Sequence, residues 1–162
     1  MIAKNNPSLA RKCSMDFMKN LVIVGLTLGS TAVYGGTITV APKENLRNST
    51  GFFRCTLWSQ GDGFPIVYEK ADQRITAPIT ANRATCTFQN VKAGTYAISV
   101  LHDEDDNKRM AVTDRGAPKE GFAFSNKAYP KNMQTPSFES AAFAYDGSDT
   151  AMIIEMNYEP AL

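Results

Sequence analysis

Asp103, Asp105 and Asn107 stand at alternate positions, the spacing of the first three oxygen ligands of a calcium loop. Asp114 falls at the twelfth position, where such a loop takes its bidentate acid. Two positions between them argue the other way: Lys108 occupies the sixth, where the sharp turn wants glycine, and Ala111 brings no side-chain oxygen to the ninth. The competing expectation is a solvated hairpin tip whose Asp and Asn side chains bond to their own turn. His102, the one histidine of the chain, immediately precedes this stretch. A Ser-His-Asp hydrolase would need a nucleophile within reach of that imidazole and an oriented carboxylate behind it. No G-x-S-x-G occurs, and Ser125 and Ser137 are only nominal candidates. His102 is therefore expected to bond a backbone group or Glu120 and to fix the loop. Asp103, Asp106 and Glu120 offer paired carboxylates, but glycosidase chemistry demands a fixed separation in a cleft. One histidine and two cysteines engaged with each other leave too few nitrogen and sulfur ligands for zinc. The expectation is a protein without catalysis, with calcium as the one cofactor in view.

The segment from Arg115 to Phe138 is long, rich in Gly, Pro and Asn, and carries Phe122, Phe124, Tyr129 and Phe138. Long ordered loops on a rigid scaffold are common binding sites. Its aromatics either plug the edge of the core or present an apolar surface to a sugar or a peptide. Phe122 and Phe124 alternate with Ala123, which predicts a short strand. His102, Glu120, Phe122, Phe124 and Tyr129 are the candidate binding residues.

These residues need a scaffold, and period-two patterns supply one. Met152, Ile154, Met156 and Tyr158 alternate with Ile153, Glu155 and Asn157, and Tyr96, Ile98 and Val100 alternate with Ala97 and Ser99. Further runs are Thr37 to Ala41, Gly51 to Ser59, Phe64 to Tyr68, Arg74 to Ile79 and Ala84 to Phe88, each bounded by turn residues. The pattern predicts an all-β fold, an antiparallel β-sandwich of immunoglobulin-like or transthyretin-like kind. Phe53, Cys55 and Leu57 share one phase, and Ala84, Cys86 and Phe88 another, so Cys55 and Cys86 both point to the apolar side. A disulfide between them would close a loop of about 31 residues and stabilise the fold by roughly 3 to 4 kcal/mol. Two separate buried thiols are the alternative. Trp58 has the phase opposite to Cys55, which places it on an outer face, where an aromatic can mark an interface.

The start of the chain has a different character. Lys4, Arg11, Lys12 and Lys19 precede an uncharged apolar run from Leu21 to Val33, the layout of a secretory signal and too short a run to span a bilayer. Val33 and Gly35 suit the peptidase site, so residues 1–35 are expected to be removed, leaving a single domain over 36–162. Met15 and Met18 are alternative starts to Met1. Cys13 lacks the surroundings of a lipoprotein site, so no membrane anchor is expected after cleavage, and the product is periplasmic or extracellular. Loss of that segment takes the Lys and Arg count from 17 to 13 and the Asp and Glu count from 16 to 15. So balanced a charge argues against nucleic acid as a partner.

One region resembles a known family. The strand ending G-x-Y-A-x-x-V-x-H-D (Gly94, Tyr96, Ala97, Val100, His102, Asp103) is followed by a turn containing Asn107. Then come G-x-P-K-E-G-x-x-F-S-N (Gly116, Pro118 to Gly121, Phe124 to Asn126) and P-S-F-E-x-A (Pro136 to Glu139, Ala141). Together they resemble the bacterial exported proteins grouped as domain of unknown function 2141. The resemblance implies a secreted β-sandwich and lends no activity. The family's turn more often reads D-x-N-x-N-G with a further Asp beyond it, and this chain departs at both of those last places. The functional expectation is an exported, noncatalytic module binding a protein or glycan through the 102–138 face. A calcium-stabilised structural domain is the alternative, and a small hydrolase the third reading.

Overall fold

The computed structural model describes residues 34–132 and 134–158. All of the expected 1–35 signal segment but Tyr34 and Gly35, with its alternative starts and Cys13, lies outside the described residues. The fold is all-β, two sheets packed face to face.

The smaller sheet has the order β4-β1-β8, with β1 at Gly36–Pro42, β4 at Cys86–Val91 and β8 at Thr150–Ile154. β1 is rich in β-branched residues suited to a pleated surface, and it turns Ile38, Val40 and Pro42 inward. It pairs antiparallel with β4 and parallel with β8, so the sandwich is not purely antiparallel. The larger sheet runs β3-β2-β5-β6, from Gln73–Pro78, Phe52–Trp58, Gly94–Asp103 and Gly121–Phe124, with β7 (Phe143–Tyr145) paired to the start of β5.

Phe53, Cys55 and Leu57 of β2 and Ile98 and Val100 of β5 meet Ile38, Val40, Cys86 and Phe88 of the smaller sheet in one buried core. The Cys55–Cys86 disulfide crosses that core from β2 to β4, with the two Cα atoms 6.3 Å apart. Gln73 and Gln89 lace two edges together: the Gln73 amide donates to Gln89 O (2.8 Å) and accepts from Gln89 N (3.2 Å).

Two expected strands differ, and one strand is present that alternation did not predict. Phe64 to Tyr68 is a turn leading into a 3-10 helix at Tyr68–Lys70, because Gly63 takes φ +87 and Pro65 has no N–H for a ladder. β7 occupies a stretch whose three-residue length is below what alternation can signal. The last strand stops at Ile154. Beyond it the chain leaves the smaller sheet and Asn157 bridges to Phe122 at the edge of the larger one, N–H to O at 2.8 and 3.0 Å. The period-two pattern of the sequence runs through this change of sheet without marking it.

Candidate functional site

β5 does not expose one face to water as a half-buried strand would. Every residue from Ala97 to Asp103 is buried. The reason lies in the loops covering the outer face of the larger sheet. Trp58 points outward as its phase requires, yet it is fully buried, which corrects the expectation of an exposed interface residue. Its indole N–H donates to Ser99 Oγ at 3.1 Å. Its ring meets Phe64 edge-on at 5.6 Å, and Phe64 in turn meets Phe124 and Phe138, each at 6.0 Å. Such edge-to-face packing adds stability beyond the area it buries. The 61–70 segment is thereby fastened to β6 and to the single helical turn α1 (Phe138–Ala141), which Ser137 caps by accepting from Ser140 N.

Two buried carboxylates pin the next loop. Asp103, wholly buried at the end of β5, accepts from the backbone N–H of Asn107 (3.1 Å) and Lys108 (3.0 Å) and pairs with the Arg54 guanidinium. Arg54 also reaches Asp106 and donates to Thr76 Oγ1 at 2.8 Å. Glu120 accepts from Glu104 N at 2.7 Å and Ala111 N at 2.9 Å, closing residues 104–111 back onto the start of β6. These N–H groups belong to irregular backbone that no ladder would satisfy, and buried donors must find partners.

Between the sheet and these loops lies a cavity of about 310 Å³. Thr56, Ser99 and Leu101 of β2 and β5 form part of its wall, and Ile66, Met110, Pro118, Phe122 and Phe124 supply most of the apolar remainder. Arg54, Arg74, Lys108 and the Tyr68 phenol also line it. Burial, and then the charge of Asp103, push the Tyr68 hydroxyl above its ordinary value, so it remains an O–H donor at neutral pH. The volume falls within the range of small-molecule sites.

The candidate residues divide sharply. Phe122 and Phe124 form β6, as their alternation predicts, and line the cavity. Tyr129 packs on Phe122 with ring centroids 5.8 Å apart but does not line it. His102 and Glu120 are buried and stand away from the lining.

His102 points to the core side of the sheet. Its Nε2 lies 3.0 Å from Thr50 O and its Nδ1 2.8 Å from Tyr158 Oη. A carbonyl only accepts, so Nε2 carries the proton and Tyr158 donates to Nδ1. The backbone partner fits expectation, and Glu120 as partner does not. Tyr158 reaches this position because Gly121 has no Cβ; one there would lie 2.2 Å from the ring. Arg47 stacks over that ring and holds Glu104 at 2.5 Å. Partial burial pushes the Glu104 carboxyl up, but the hydrogen bond and charge of Arg47 outweigh it and leave it below its ordinary value. Burial pushes the Tyr158 phenol up.

Among the calcium candidates, Asp103 and Asp105 come within 4.8 Å of one another and of Glu120. Asp114 is not part of that group, and Asn107 bonds to Asp105 through its side-chain amide at 2.7 Å. The loop thus lacks the order of a twelve-residue calcium loop: its twelfth-position acid stands aside, and both oxygens of Asp103 and of Glu120 already accept N–H groups. Nor is Asp103 part of a solvated tip, since Arg54 compensates its charge in the interior. Sequence reasoning missed Arg54, Arg74, Lys108 and Met110, whose shared environment depends on loop paths that no spacing encodes.

Among the described residues no helix is long and apolar enough to cross a membrane. No curated protein and no solved structure matches the chain. The model of a bacterial family described as an uncharacterized protein conserved in bacteria, domain of unknown function 2141, matches residues 43–153, spanning β2 to β7 and both pinned loops. The chain belongs to that family.

Proposed function

We propose that this protein is an exported, noncatalytic binding module whose ligand seat is the cavity on the outer face of the larger sheet. The observation that carries this reading is the cavity itself, a preformed apolar space held open by loops that are pinned rather than loose. Cavities too large for close packing forfeit contact energy, and a ligand that fills this one would restore it. A small ligand seated in this partly open pocket suits the geometry better than the broad protein or glycan surface that the aromatic loop suggests from sequence. Export is supported by the Cys55–Cys86 disulfide, which persists in an oxidising compartment.

The absence of catalysis is supported by where the reactive groups lie. His102 is spent on Thr50 and Tyr158, Ser125 Oγ donates to Ala141 O at 2.6 Å, and Ser137 caps α1. None of the three lines the cavity. The test is titration of the protein with the uncharged dye phenylnaphthylamine, followed by fluorescence, beside a Thr56→Phe variant that fills the cavity. Saturable binding that Thr56→Phe abolishes, in a variant that still melts cooperatively, is the expected result. Binding that survives the filled cavity would put the ligand elsewhere and end this reading.

A further inference from the structure

The charged side chains that line the cavity are all cationic. Arg54, Arg74 and Lys108 belong to its lining, and no Asp or Glu does. Arg54 is committed to Asp103 and Asp106, which leaves Arg74 and Lys108 as the cations not already paired. Arg74, on the edge strand β3, and Lys108, on the pinned loop, have no ion pair and no side-chain hydrogen bond among the described residues. The fold nevertheless places Lys108 with care: its backbone takes a left-handed φ of 66, and its N–H is tied to Asp103 Oδ2 at 3.0 Å. The Tyr68 hydroxyl also lacks a hydrogen-bond partner among the described residues. Two unpaired cations and a free O–H donor therefore surround an apolar space. Cations beside a low-dielectric wall attract an anion more strongly than they would in open water.

We propose that the ligand is a small amphipathic organic anion, a carboxylate or sulfonate on an apolar body, its head engaged by Arg74 and Lys108 and its body against Leu101, Phe122 and Phe124. This rests on the reading of the cavity as a ligand seat. Size follows from volume: an apolar cavity of about 150 Å³ admits one benzene ring, and this one is about 310 Å³. The apolar body is accordingly two to three rings or a medium-length alkyl chain. A carboxylate head would take charge-assisted bonds from the two cations, with Tyr68 donating to a remaining oxygen lone pair.

The experiment compares two dyes that share one apolar body: phenylnaphthylamine, which is neutral, and anilinonaphthalene sulfonate, which adds a negative head. Both are titrated into the full chain and into Arg74→Gln/Lys108→Gln, in protein whose thermal transition remains cooperative. The expected result is that the sulfonate's affinity relative to the neutral dye falls about tenfold or more in the double variant, while the neutral dye is unaffected. A second arm needs no variant: sulfonate binding to the unaltered protein weakens as salt is raised, and neutral binding does not. An unchanged affinity ratio in the double variant, or salt-independent sulfonate binding, overturns the anion assignment and leaves the cavity reading standing. If neither dye binds, both readings fall.

Discussion

Replacing Arg54 with methionine tests the claim that Asp103 is an interior charge which the fold has organised itself to hold. The Asp103 side chain has no solvent exposure, and its charge is met by Arg54 and by the N–H groups of Asn107 and Lys108. Methionine keeps the aliphatic bulk and removes the guanidinium, leaving a buried carboxylate with two amide donors. Removing one partner of a buried ion pair costs about 3 to 5 kcal/mol. The Arg54 side chain is 18% exposed, so water partly reaches the vacated place and the lower end of that range applies. A loss of about 3 kcal/mol would lower the melting temperature of a domain this size by roughly 10 to 15 °C. Equilibrium urea unfolding followed by circular dichroism measures it. Asp103→Asn removes the stranded charge while its amide oxygen still accepts one N–H, so in Arg54→Met/Asp103→Asn about 2 kcal/mol of the loss should return as a coupling energy. Purely additive losses, or a cost below about 1 kcal/mol for Arg54→Met, would show that Asp103 is hydrated and would refute the pinning argument.

Other consequences can be measured in the same way. Gly121→Ala drives the Tyr158 ring off its seat, and Tyr158→Phe removes only its hydroxyl; each strands the buried His102 Nδ1 and should cost about 1 to 3 kcal/mol in urea unfolding, with Gly121→Ala the worse. Cys55→Ala/Cys86→Ala should lower stability by roughly 3 to 4 kcal/mol through release of the 31-residue loop. Because the folded Glu104 carboxyl lies below its ordinary value of 4.5, the stability it contributes is complete above that pH and is lost as pH falls through the lower folded value. Unfolding measured across acid pH should therefore show a shallower decline in Glu104→Gln. The melting temperature should be the same in excess chelator and in millimolar calcium, since the Asp103 and Glu120 oxygens already accept N–H groups; a rise of about 4 °C or more in calcium would make that cluster a metal site.

What could be read along the chain was whatever depends on neighbours two residues away. Alternation located the strands carrying Ile38 and Val40, Phe53 to Leu57, and Ile98 and Val100, and it identified Phe122 and Phe124 as a strand within a long loop. The inward phase of both Cys55 and Cys86 was legible and made a disulfide between them possible; the structure decides for the bond over two separate thiols, because the packing brings the two inner faces together there. The phase of Trp58 was legible as well, but its burial was not. Periodicity says which face of a strand a residue occupies and nothing about what covers that face.

The sequence by itself determined the β-class, the inward cysteines and the family to which the chain belongs. The tertiary structure alone decided that the outer face of the larger sheet is roofed, because the roof comes from segments distant in sequence, 61–70, 104–132 and 134–142, held by Phe64, Asp103 and Glu120. It also decided the roles of the acidic residues. Asp103, Asp105 and Asn107 have the spacing of a metal loop, yet Arg54, about 50 residues away along the chain, lies diagonally across the β2–β5 pairing from Asp103, and that partner makes the carboxylate a structural pin. A carboxylate's chemistry depends on the charge beside it, and which charge that is depends on strand pairing that one-dimensional spacing does not contain.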